Sequence, residues 1–203
     1  MSKGKLSLWA TLIAVGLVLA CSSTQSMISG SGDSAVQVYL TDAPSDYIGA
    51  AEVTISSVQL VPADDDGTFI ELLDPADAPL TYDLLELRNG VTEFLGESMV
   101  PAGTYSQLRL IVDDAIVTLA AGYTFNDGTT TKTLFVPSGM QTGIKVQTNG
   151  MIETEEGMVT VTVIDFDVDQ SFVIQGNPVT PAGIHGVLFT PSLVEASRTE
   201  RAM

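Results

Sequence analysis

Beyond residue 34 the apolar residues recur at every second position, in runs rich in Val, Ile, Thr, Tyr and Phe. That period places alternate side chains on opposite faces of an extended chain, so each run has one face to bury and cannot form a helix with a continuous apolar stripe. The clearest runs are 35–41, 52–61, 68–73, 104–112, 116–120, 132–136, 142–147, 158–166, 171–174 and 186–194. Clusters of Gly, Pro, Asn and Asp separate them, and Asp64-Asp65-Asp66-Gly67 and Asn126-Asp127-Gly128 read as hairpin tips because these residues tolerate positive φ. About ten short strands predict an all-β domain, a single antiparallel β-sandwich of Greek-key or transthyretin/immunoglobulin-like type, over residues 35–195.

The one region with helical material is 83–96, where Leu84, Leu85, Leu87, Val91, Phe94 and Leu95 would cover an end of the sandwich. Asn89-Gly90 interrupts it, so the expectation is a short helical turn region. Asp113-Asp114 is expected to end a strand, and residues 196–203 to fray.

The N-terminus has a different composition. Met1 to Lys5 is basic, Leu6 to Leu19 is apolar, and Val18-Leu19-Ala20-Cys21 places a small residue before the only cysteine. An apolar run of this length falls short of the roughly 20 residues that span a bilayer, so residues 1–20 read as a lipoprotein signal peptide with a lipobox. Cys21 is then the lipidated residue, 21–34 a flexible Ser/Gly-rich tether, and the membrane a partner through the anchor. Ser22, where an acid would favour inner-membrane retention, points to the outer membrane of the cell envelope. Thiol catalysis and disulfides are excluded, because acylation consumes the only thiol.

Charge removes other classes of partner. The chain has 203 residues with Lys+Arg 8 against Asp+Glu 25, a net charge of -17, and loss of Lys3 and Lys5 with the leader takes this to -19. Such a surface repels phosphate backbones, so nucleic acid is not a partner. The expected form is a monomeric domain that meets an unknown envelope protein or a glycan.

Several strings resemble the domain of unknown function 4382 family: Val38-Tyr39-Leu40-Thr41-Asp42-Ala43-Pro44, Tyr82-Asp83-Leu84-Leu85, and Pro101-Ala102-Gly103-Thr104-Tyr105 through Arg109-Leu110. Val136-Pro137-Ser138-Gly139, Gly143-Ile144-Lys145 and Asp165-Phe166-Asp167 extend the resemblance over 35–194. It implies a secreted or lipid-anchored bacterial or archaeal protein with one β-rich domain and no established activity. Where the family tends to place basic residues around the last proline, this chain has Thr190 and Val194.

No constellation for a reaction stands out, and no catalytic residue is assigned. His185, the only histidine, sits in a turn before a strand with no serine elbow near it, and Gly139-Met140-Gln141-Thr142-Gly143 carries Gln where a nucleophile belongs. One His and no spare Cys argue against zinc. The acids leave two readings open. Asp165, Asp167 and Asp169 alternate along one expected strand, so that Asp165 or Asp167 would neutralise Arg109 and Lys145, cations that lie mid-strand among apolar neighbours. Alternatively Asp42, Asp46, Asp165 and Asp167 supply oxygen ligands to Ca²⁺. Pairing is the preferred reading, with no cofactor required.

The function expected is a lipid-anchored, non-catalytic binding or structural module of the envelope. The alternative is a calcium-dependent recognition domain for glycans or protein partners, with a carboxylate hydrolase as a third class. Trp9 leaves with the signal, so an aromatic sugar platform would fall to tyrosines, of which Tyr47 and Tyr123 lie near turns.

Overall fold

A computed structural model describes residues 32–42, 46–64, 68–137, 142–180 and 183–203. The signal peptide, Cys21 and most of the tether lie outside the described residues, as do Asp65-Asp66-Gly67 at one expected hairpin tip and Gly139-Met140-Gln141.

The domain is an all-β sandwich. One sheet has the order β13-β10-β1-β5, made from β1 (Asp33–Thr41), β5 (Glu93–Pro101), β10 (Met158–Phe166) and β13 (Leu193–Ala202). The facing sheet is built on β2 (Ile48–Pro62) and β6 (Gly103–Leu119), two long strands paired along nearly their whole length. Short strands complete it: β3 (Ile70–Glu71) and β4 (Leu80–Asp83) on β2, with β7 (Thr131–Thr133), β8 (Ile144–Lys145) and β9 (Ile152–Thr154) on β6. A separate hairpin joins β11 (Phe172–Asn177) to β12 (Gly183–Phe189).

Alternation accounts for the core. Val36, Val38 and Leu40 of β1 point inward with Ile164 and Phe166 of β10, and meet Val53, Ile55, Leu108 and Leu110 from the facing sheet, all buried. Each such side chain contributes about 1.5–3 kcal/mol on burial. Phe189 packs between Phe166 and Phe172, at ring-centroid distances of 6.2 and 4.9 Å, and so seats the β11–β12 hairpin on the sandwich. At Gly96 a side chain is excluded outright, since a Cβ there would lie 2.2 Å from the Leu72 carbonyl oxygen.

Several sequence expectations are corrected. The sandwich is not wholly antiparallel, because β1 runs parallel to β10. Asp113-Asp114 does not end a strand. Ser56 and Asp113 are the extra residues of bulges on β2 and β6, and Ser56 Oγ donates to Asp113 Oδ1 at 2.8 Å, so the two irregularities satisfy each other and the ladder continues. In 83–96 the helical part is one 3₁₀ turn, Leu84–Leu87, capped by the Asp83 carboxylate on Leu85 N, and residues 93–96 belong to β5. Asn89 and Gly90, both at positive φ, make the turn between them. The tether ends sooner than 34: Asp33 and Ser34 are in β1, and buried Ser34 donates to Val100 O at 3.1 Å. Residues 196–202 do not fray but pair with β10, from Val163↔Ser197 to Met158↔Ala202.

Candidate functional site

The acids of 165–169 do not form a ladder. The strand stops at Phe166, and Asp167 caps a one-turn helix, Val168–Ser171, with Oδ1 accepting from Gln170 N at 2.9 Å. Asp169 sits exposed within that turn. Asp165 remains on the strand, half-buried, beside Thr41 of β1 and Val194 of β13. Its carboxyl is pushed above the usual range by burial and then by the neighbouring Asp167 charge.

The proposed partners lie elsewhere. Arg109 and Lys145 face each other across β6 and β8 in the other sheet. Lys145 is exposed, while Arg109 is half-buried and donates from Nε to Gln107 Oε1 at 2.8 Å. Arg109 lies between buried Leu108 and Leu110, and Lys145 between partly buried Ile144 and buried Val146, so both point away from the core and neither is a buried charge in need of neutralisation. The ion pairs among the described residues include Lys132–Asp127 at 2.8 Å and Arg198–Glu195 at 2.6 Å.

The four acids considered for calcium are not assembled into one ligand set. Asp42 is buried at the end of β1, and its Oδ1 accepts from Val168 N at 3.1 Å. Asp167 is spent as a helix cap. Asp46 is exposed at the entrance to β2. Among the described residues no group of three or more His, Cys, Asp or Glu side chains is placed to hold a metal ion.

A different region converges. The loop from β6 to β7 meets the start of β12 where Asn126 N donates to Ile184 O at 3.0 Å, beside a parallel bridge between Phe125 and Ile184. They enclose a cleft of about 360 Å³ whose walls include Tyr123, Asn126, Pro178 and Gly183. Gly183 is required for this approach: it has φ 68°, and a Cβ there would lie 2.5 Å from Asn126 Oδ1.

Asn126, one of the cleft walls, has its Nδ2 2.8 Å from Nδ1 of His185, an exposed residue of β12. This contact fixes the amide and the imidazole ring relative to each other. Tyr123, a wall of the cleft, packs edge to face on Tyr47 at 5.4 Å and 83°. Tyr47 is 37% exposed. The nearby charges cancel each other. Lys132 binds Asp127, stands 4.6 Å over the Phe125 ring, and, with Thr129, holds the Asp127 carboxyl well below the usual carboxylate range.

A larger cleft of about 520 Å³ lies at the opposite ends of β2 and β6, lined by Pro62, Ile70, Pro101 and Tyr105. Its walls are mostly aliphatic, and the Tyr105 hydroxyl is committed to Pro101 O at 2.6 Å. The smaller cleft therefore has the better set of recognition groups. Sequence reasoning found Tyr47 and Tyr123 through their place near turns. It missed Asn126, read as a hairpin-tip residue, and it weighed His185 only as a catalytic base. The contact between them spans 59 residues, and no local pattern announces it.

Residues 33–180 match the model of a family described as a domain of unknown function (DUF4382). The chain belongs to this family. No curated protein and no solved structure matches it. The matched span holds Asp42, Tyr47, Asn126, Asp165 and Asp167 and stops before β12 and β13, so His185 and Glu195 lie beyond it.

Proposed function

We propose that the chain is a lipid-anchored, non-catalytic binding module of the cell envelope, monomeric in its folded part and attached through Cys21. The observation that carries the binding role is the cleft between residues 122–128 and Pro178, Gly183 and Ile184. It is open, its walls are uncharged and include Tyr123, and the Tyr123 ring packs on partly exposed Tyr47. Its histidine is hydrogen-bonded to an amide, an arrangement that orients a donor and does not activate a nucleophile. Anchoring rests on the sequence: an apolar run ending in Val18-Leu19-Ala20-Cys21, and a short Ser/Gly-rich stretch before β1 begins at Asp33. With Ser22 after the cysteine, the favoured destination is the outer membrane.

Metabolic labelling with palmitate, followed by fractionation, tests the anchor. The wild-type chain is expected to carry label and partition with membranes, and Cys21→Ser to carry none and keep its leader. Equal labelling of the two, or an intact N-terminus on the wild type, overturns it.

A further inference from the structure

We propose that the Tyr123–Asn126 cleft is a binding site for a neutral saccharide, with Tyr47 and Tyr123 as its stacking platform and Asn126 and His185 as the pair that reads hydroxyl groups. This rests on the binding role proposed above and adds the ligand class. Pyranose rings present C–H bonds on their faces and hydroxyls around their edges, so a site for them needs an aromatic surface beside planar side chains that both donate and accept. In an edge-to-face pair at 5.4 Å, at least one ring keeps a face uncovered by its partner, and Tyr47 lies toward solvent. Asn126 offers its amide, held in place by its 2.8 Å contact with His185 Nδ1, and the other ring nitrogen of exposed His185 adds a second polar group.

Charge decides between ligand classes. No charged residue is among those lining the cleft, so its walls offer a charged ligand no ion-pair partner. Asp127 is neutralised by Lys132. Asp46 precedes Tyr47, and the whole chain carries a net charge of -17, so an anionic polymer is repelled. A volume of about 360 Å³ suits one or two sugar rings and leaves the rest of an oligosaccharide outside.

The test is isothermal titration of the full chain, held in a detergent without a sugar headgroup, against maltohexaose, cellohexaose and N-acetylchitohexaose, with a hexamer of galacturonic acid as the anionic probe. At least one neutral hexaose is expected to bind saturably and the uronate not at all. Tyr47→Ala and Asn126→Ala are each expected to weaken binding about tenfold, which corresponds to about 1.4 kcal/mol, whereas Tyr47→Phe keeps the ring and keeps the affinity. Tyr47 is exposed, so its variants test the site even if Asn126→Ala does not fold, which thermal melts report. Silence across the three neutral sugars, equal binding of the uronate, or undiminished binding by Tyr47→Ala overturns the proposal. Palmitate labelling is unaffected by any of these results, so the anchor stands or falls separately.

Discussion

Arg198 and Arg109 both occupy the interior of a strand, yet the fold treats them in opposite ways. Arg198 pairs across from Thr162, a fully buried residue, and therefore points to the inner face of its sheet. There its Nη2 lies 2.6 Å from Glu195 Oε2 and its Nη1 donates to Met151 O at 2.7 Å. Glu195, whose side chain is 3% exposed, also accepts from Asn149 N at 2.9 Å. Arg109 faces outward, opposite another cation, with a glutamine for company. A strand cation needs a carboxylate when the pleat turns it inward, and only then does its removal matter.

The strongest way to break this comparison is to remove one acid. Glu195→Ala leaves Arg198 facing inward without its partner and is expected to cost about 3–5 kcal/mol of stability in urea unfolding. Arg109→Ala is expected to stay within about 0.5 kcal/mol of the wild type. Comparable losses in the two variants would erase the distinction.

A smaller effect separates Asp167 from both. Its carboxylate serves a helix cap and no cation, so Asp167→Ala is expected to cost about 1 kcal/mol, the usual loss for a cap. A loss as large as that of Glu195→Ala in the same unfolding experiment would restore Asp167 to an ionic role.

The smallest effect has the opposite sign. Burial first, and Asp167 second, raise the pKa of Asp165, and among the described residues its Oδ1 has no hydrogen-bond partner. The folded carboxyl then holds its proton to higher pH than the unfolded chain does. Its contribution to stability is complete below the ordinary carboxylate value and is lost as pH rises through the folded value. Asp165→Asn removes that loss, so at neutral pH it is expected to melt above the wild type, with the gap closing as the medium is acidified. Solvent reaches the half-exposed group, which keeps the gain modest. A variant that melts lower at neutral pH would mean that Asp165 has a cationic partner after all.

The sandwich was legible because period-two alternation is a local property, and β1, β2, β6 and β10 follow it closely. What stayed hidden depends on residues far apart in the chain. The run 104–120 reads as two strands because Asp113-Asp114 is a turn signal, and only the matching bulge at Ser56 explains why it is one. Residues 196–203 read as a frayed tail because they end the sequence, yet 196–202 pair with β10 and carry Glu200 and Arg201, charges that suit an edge strand exposed to water. The ion-pair reading points to Arg109 and Lys145, since the bulge at Ala196, opposite Val163 and Ile164, that sets the facing of Arg198 carries no turn signal in the sequence. The same holds for the cleft, where Tyr123 and Asn126 share the β6–β7 loop but Tyr47 comes from the entrance to β2 and His185 from the start of β12.

The place of β1 in its sheet also governs when the domain can fold. Although it is the first strand, it lies in the interior of the sheet order, between β5 and β10, with its end tied to Val168 across 126 residues. A chain that has emerged only as far as β9 can pair β1 on one side and must leave the other edge open. Contacts this distant form slowly, because the loop between them must close before any bond repays it. The four-stranded sheet is therefore completed last, after the final strand is available, and until then an open apolar edge is the chain's point of vulnerability to aggregation and proteolysis.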